Sequence, residues 1–424
     1  MTTTWQIDTL ANGLRIVTTP MPTAQSVNVC IFVGVGSRME ERRVNGICHY
    51  LEHMLFKGST KRPTALDISQ AVEGAGGGLN AFTNKEFTGY WAHMPFDRLD
   101  LAVDVLADMV RNPLLDAAEI DRERTVVQQE IRRAHDQPSA WASELLSRAC
   151  YGDQPIGWPV AGTEESVEAM RRDDFVDHMA AWYVPESTVV AVAGNTTTNQ
   201  VVALIEERLA GVKGHPLPPF VPAAPGLPAE HVQVEARDID QSNLFFGMRA
   251  ISRTDPDRYA LTILNSLLGR GMSSRLFKEV RERRGLAYSV GSSVSRHHDT
   301  GVLAVSAGVS PEKAEEAGKV ILEEVFKLVD EPVPEDELTR ARDFTVGNFR
   351  LSLETTMALT QWTGENLVTM GEIEEIDDVV SKLAAVTAGD VQRVARRLFT
   401  RDNVAMSLVG PGADAGLLEK TLPA

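Results

Sequence analysis

The side chains best placed to do chemistry are His49, Glu52 and His53, inside Gly46-Ile47-Cys48-His49-Tyr50-Leu51-Glu52-His53-Met54-Leu55-Phe56. On a helix, residues four apart lie one above the other, so His49 and His53 can aim two imidazoles at one metal ion. Glu52 borders the same face without having to be a ligand, which suits a carboxylate that handles a water on the metal. The order of the five residues inverts the His-Glu-x-x-His metal motif. The competing reading is a polar helix with two surface histidines. Ile47, Leu51, Met54, Leu55 and Phe56 speak against it, because they bury most of the helix and buried histidines need partners.

The elements that must hold this helix can be read on both sides of it. Upstream, residues 6 to 35 read as strands: Asn12-Gly13 turns a hairpin between Ile7–Leu10 and Leu14–Thr18, and Val27–Val33 is an apolar β-rich run. Downstream, Leu66 to Glu73 reads as a short helix. Gly74-Ala75-Gly76-Gly77-Gly78 then enters alternating sequence, Leu79-Asn80-Ala81-Phe82-Thr83-Asn84. A glycine run can cradle phosphate, but that needs a helix N-terminus behind it and usually a lysine. The better reading is an edge strand able to pair with an extended peptide. Asp97 to Val110 is an amphipathic helix, and Asp116 to Ala134 is a second helix with Glu119, Glu123 and Glu130. Glu123 and Glu130, two turns apart, share a face.

The composition changes at Pro216–Pro228, where six prolines stand in thirteen positions. Such a run is neither helix nor central strand and acts as a stiff spacer. The expected division is therefore 1–215, a linker at 216–228, and 229–424. The second part repeats the first: Asn243–Met248 is again an apolar strand and Tyr259–Leu268 an apolar helix. At an offset of 213, His49, Glu52 and His53 face Thr262, Asn265 and Ser266. At an offset of 218, Glu123 faces Ala341 and Glu130 faces Asn348. The core pattern persists and the metal-competent side chains disappear together, as in a duplicated fold with one copy stripped of its ligands. That pattern ties Glu123 and Glu130 to the histidines.

Bulk properties narrow the function classes. A chain of 424 residues suggests two or three domains. Hydrophobic content of 43% with 6% aromatic is that of an ordinary globular protein. The net charge of -17 argues against a nucleic-acid partner and weakly favours basic peptides. Cys30, Cys48 and Cys150 are isolated, so neither a disulfide framework nor a thiolate cluster is expected. No signal peptide and no stretch able to span a bilayer is read, so the expectation is no membrane partner and a cytoplasmic, or processed organellar, protein.

By this spacing, the chain resembles the pitrilysin/insulysin and mitochondrial-processing-peptidase family of zinc endopeptidases, the inverzincins, in its short two-domain form. The family motif is His-x-x-Glu-His followed after 76 residues by a glutamate, and residues 54 to 129 lead from His53 to Glu130. The likeness extends to Asn12-Gly13, to Gly77–Thr83, and to Glu123 seven residues before Glu130. It continues through Ser273-Ser274-Arg275-Leu276-Phe277 and the run from Arg281 to Tyr288. The resemblance implies one zinc ion per chain on His49, His53 and Glu130, with Glu52 as general base and Glu123 orienting a ligand histidine. It implies a substrate added as a strand along Asn80, Ala81 and Thr83, and an Arg281/Tyr288 pair on the scissile carbonyl. By themselves Arg281 and Tyr288 read as a solvated helix end and a strand residue, and His297-His298 as surface.

The fold class implied is α+β: two homologous α/β halves, each an antiparallel-rich sheet packed with helices, together half of a clamshell. A two-domain chain is expected to form a homodimer, or a heterodimer with a homologous chain, and to act on peptides in a closed chamber, with processing-peptidase-like work as one form of that activity. A non-catalytic scaffold of the same family should have lost its zinc residues, and here they are intact.

Overall fold

The apolar run at 27–33 becomes the middle of a six-stranded sheet. The structure, a computed structural model, describes residues 4–422. Its first sheet contains β1 (Gln6–Thr9), β2 (Arg15–Pro20), β3 (Ser26–Val33), β4 (Gly78–Thr83), β5 (Thr88–Pro95) and β6 (Thr188–Gly194). The spatial order is β1-β2-β6-β3-β5-β4, so β4 is an edge. Only β2 and β6 are parallel. β6 is buried along its whole length, and its Val/Ala sequence is what a strand covered on both faces requires. Alternation along β3 divides its side chains between two clusters. Val27, Val29, Ile31 and Val33 enter the main core, while Cys30 and Phe32 enter a smaller one on the opposite face.

Helices α1 (Ile47–Leu55), α2 (Ala65–Glu73) and α3 (Leu99–Arg111) supply most of the helical side of the main core. α4 (Ala117–Asp136) is polar overall, but Ile120, Glu123 and Val127 form a buried stripe at helical spacing, and Glu130 is the next position on that stripe. α5 (Pro138–Tyr151) follows after a single residue, with proline at its first position.

The second sheet is built from β7 (Val232–Ala236), β8 (Ser242–Ala250), β9 (Ala287–Arg296), β10 (Gly301–Val309) and β11 (Val404–Gly410). Its order, β7-β11-β8-β10-β9, reproduces β2-β6-β3-β5-β4 strand for strand, again with only the first pair parallel. The duplication inferred from residue offsets is thus present in the topology. The helices Arg258–Gly269 and Glu335–Leu351 occupy the places in sequence that α1 and α4 hold in the first half.

Two compact units result. One comprises Met1–Ile131, Trp158–Val221 and Leu351–Glu374; the other comprises Arg132–Gly157, Pro222–Arg350 and Glu375–Ala424. The division expected from the prolines alone, with a first part ending at 215, differs from this in two ways. The change of unit falls inside the proline-rich segment, after Val221, and two helices are exchanged. The helix Thr356–Met370 packs on β3 and β6, and α5 packs on β8 and β11. The cause is the second apolar face of each sheet, which must be covered by something. Gly364 shows how close that cover lies, since a Cβ there would stand 2.0 Å from the Phe32 ring. Nothing in the local pattern of residues 356–370 says which sheet they will cover.

Candidate metal centre

α1 begins at Gly46, whose φ of 97° lies in the left-handed region. A Cβ there would also meet the carbonyl oxygen of Ala161 at 2.5 Å. Glycine offers no side chain to cap the helix, and Glu40 takes over that task from six residues upstream. Its fully buried carboxylate accepts from the Gly46 amide at 2.7 Å, the Cys48 amide at 2.9 Å and Asn45 Nδ2 at 2.8 Å. Burial pushes the Glu40 pKa up to about 7 in spite of these donors. Ile47, Leu51, Met54 and Leu55 are buried beneath α1, each worth about 1.5–3 kcal/mol relative to exposure. The buried Tyr50 hydroxyl donates to the Ile120 carbonyl and ties α1 to α4.

That tie brings the expected ligands together. Ligand atoms of His49, His53 and Glu130 all lie within 4.8 Å of one another. Glu130 Oε2 is 3.6 Å from His49 Nε2 and 3.5 Å from His53 Nε2. A tetrahedral ion about 2.0–2.1 Å from each donor sets donor–donor separations of about 3.4 Å, so both distances suit a shared metal. Two imidazoles and a carboxylate are also a donor set that zinc accepts with one position left open. His49 has its pKa lowered to about 4 by burial and by neighbouring His53, which keeps the ring neutral, the form able to ligate. Burial pulls the His53 pKa down too, but the Glu123 hydrogen bond and the charges of Glu130, Glu123 and Glu52 leave it raised.

The two histidines are supported differently. His53 Nδ1 lies 2.9 Å from Glu123 Oε1, and Lys57 Nζ lies 2.6 Å from Glu123 Oε2. Burial works against the Glu123 carboxylate, yet its bonds to His53 and Lys57 hold its pKa below the usual range. His49 Nδ1, in contrast, is buried with no hydrogen-bond partner among the described residues.

Glu52 points to the edge strand. Its Oε2 accepts from Thr83 Oγ1 at 2.6 Å, and burial raises its pKa against the pull of that bond. Thr83 ends β4, and the Asn80 side chain accepts from the Ala81 amide at 2.8 Å. Asn80 is exposed and Ala81 half-buried. Both belong to an edge strand paired on one side only, with β5.

Arg281 and Tyr288 belong to the other compact unit. The Arg281 guanidinium sits 5.4 Å from the Tyr288 ring centroid and 5.0 Å from that of Phe277. Tyr288 is 77% exposed at the start of β9, so it is not the core strand residue that a reading of position alone suggests. Arg281 stands in a π-helical segment, Phe277–Arg283, a backbone form concentrated at functional sites.

Glu40 and Lys57 belong to no motif in the sequence. Glu40 is one acidic residue in Met39-Glu40-Glu41-Arg42-Arg43, and only the path of the loop reveals which carboxylate turns inward. Lys57 carried the better signal, four residues beyond His53 at the end of α1.

Comparisons with known proteins place the chain among peptidases. The family model described as insulinase, peptidase family M16, matches residues 15–164, and that described as the M16 peptidase inactive domain matches 169–344. The chain is 39% identical over 412 residues to an uncharacterized zinc protease of Streptomyces coelicolor, covering 96% of this chain and 89% of that protein. It is 34% identical over 412 residues to the uncharacterized zinc protease YmxG of Bacillus subtilis, covering 96% and 98%. A protease from Helicobacter pylori has the same fold, with a TM-score of 0.90 at 24% identity over 96% of this chain and 100% of that one. Among the described residues, no helix is long and apolar enough to cross a membrane.

Proposed function

The chain belongs to the insulinase family of peptidases, family M16, and on that premise we propose that it is a zinc endopeptidase hydrolysing peptides and unfolded segments. The observation that carries this reading is the convergence of His49, His53 and Glu130 beside a carboxylate, Glu52, that is itself anchored to an edge strand.

His49, His53 and Glu130 would hold the ion, one per chain, with Glu123 fixing the ring of His53. Zinc, when bound, supplies a Lewis acid that polarises a carbonyl and brings the pKa of a water to about 7. Glu52 takes the proton from the attacking water and returns it to the leaving amine. The Thr83 hydroxyl keeps one oxygen of Glu52 occupied, so the proton is handled by the other. An extended peptide lying beside β4 would pair with the free edge, and the Asn80 side chain would yield the Ala81 amide to it. Arg281 and Tyr288, already stacked on one another, suit the carbonyl oxygen of the bond being cut. Our reading assigns them to act from the facing subunit of a homodimer that encloses the peptide, with a heterodimer of homologous chains as the other arrangement. Within that chamber the substrates are peptides or presequence-like segments rather than folded proteins.

The test is metal content and peptide hydrolysis before and after chelation, alongside Glu52→Gln. About one zinc per chain is expected, with activity lost on chelation and restored by zinc. Glu52→Gln should keep zinc and lose about 10²–10⁴-fold in kcat. Unchanged hydrolysis in that variant would sink the mechanism.

A further inference from the structure

The Glu123 carboxylate is held from both sides, by His53 through one oxygen and by Lys57 through the other. From this arrangement we propose that Lys57 is a positioning residue for the metal centre, fixing Glu123 so that Glu123 fixes His53. The inference rests on the zinc reading above.

Three features favour a relay over an ordinary ion pair. Glu123 is nearly enclosed, its side chain 8% exposed, so an unheld carboxylate there has few other partners. Lys57 is 28% exposed and reaches in from just beyond the last turn of α1, the turn that carries His53. The two helices are thereby joined at the metal end by a charged link, in addition to the Tyr50–Ile120 hydrogen bond. The stripped half supplies the control. At the offset of 213, Lys57 faces Arg270, so a cation remains, but at the offset of 218 Glu123 faces Ala341, so that position offers no carboxylate.

Two effects of Lys57 on a bound cation oppose each other. Its charge repels the ion, while its hydrogen bond orients the carboxylate that orients the ligand. The ammonium is partly in water, which weakens the repulsion. Losing the support behind a ligand histidine typically weakens metal binding 10–100-fold. Orientation should therefore prevail. A third role, favourable placement of a cation at the C-terminus of α1, would act without Glu123.

Zinc affinity measured by competition with a chromophoric chelator separates these roles. Lys57→Met should bind zinc about tenfold more weakly than the unaltered chain, and Lys57→Arg should stay within threefold. In a Glu123→Ala background, Lys57→Met should have no effect or raise the affinity slightly, because only the repulsion is left. A loss of threefold or less in the unaltered background overturns the proposal, as does an equal loss in both backgrounds. If Lys57→Met does not fold, Lys57→Gln, which retains a polar end on a shorter stem, is read by the same thresholds. Failure of the unaltered chain to take up zinc would instead sink the functional reading on which this inference depends.

Discussion

The same strand order is used twice in this molecule, once around the candidate metal centre and once without its side chains. The Glu52–Thr83 bond in the first half has a counterpart in the second. There Asn265, at the offset of 213 from Glu52, accepts from Ser292 Oγ at 2.7 Å, and Ser292 lies on β9 as Thr83 lies on β4. The link between motif helix and edge strand has therefore outlived the chemistry. What has gone is the set of side chains that only a metal would need, now Thr262, Ser266, Ala341 and Asn348. The comparison separates two demands on one helix. Its apolar face is required by the sheet beneath it, and its polar face only by the reaction.

The largest expected difference comes from alanine at the aligned positions. His49→Ala or His53→Ala should abolish zinc uptake and turnover. Thr262→Ala and Ser266→Ala should leave both unchanged and move stability by no more than about 1 kcal/mol. Metal analysis and hydrolysis check this, and zinc loss from either second-half variant would break the comparison.

An intermediate effect concerns Glu40, whose carboxyl sits at about 7 when folded, above its unfolded value near 4.5. The folded state then holds a proton that the unfolded state has released. Glu40 thus contributes stability that is full below about 4.5 and is lost as pH rises through 7. Across that window the slope is on the order of 1 kcal/mol per pH unit. Urea unfolding of the metal-free protein at several pH values should show Glu40→Gln losing that component of the slope. An identical pH profile would mean that Glu40 is ionised in the fold.

The smallest effect is the retained link itself. Ser292→Ala should cost about 1 kcal/mol of stability, as expected for one hydrogen bond, and leave kcat alone. Thr83→Val should cost a similar amount and also lower kcat, because its partner is the proposed general base. Equal kinetic silence in both would erase the distinction between the halves.

Much of this is legible in the sequence, and the reasons are particular. His49, His53 and Glu52 declare themselves because helical spacing is a fixed geometric rule. Glu130 was reachable through the family spacing and through the loss of its counterpart together with the histidines. β4 announced itself as an edge through its glycine entry and alternation. The exchange of α5 and Thr356–Met370 was not legible, since amphipathicity says that a helix will be covered but not by which sheet. The inward turn of Glu40 depends on the path of a loop, and the Lys57–Glu123 contact on rotamers, neither of which leaves a period in the sequence.

The exchanged helix has a consequence for how the protein is made. The last strand of the first sheet, β6, ends at Gly194, but the helix covering its far face ends only at Met370. At synthesis rates of about 5–20 residues per second, that face waits roughly ten to thirty-five seconds for its cover. A chain halted anywhere between Gly194 and Thr356 would carry His49, His53 and Glu130 and still lack the helix that completes the smaller core of the first unit. Closure of the first unit therefore waits until 370 of the 424 residues have been made, which ties its folding to synthesis of the second sheet.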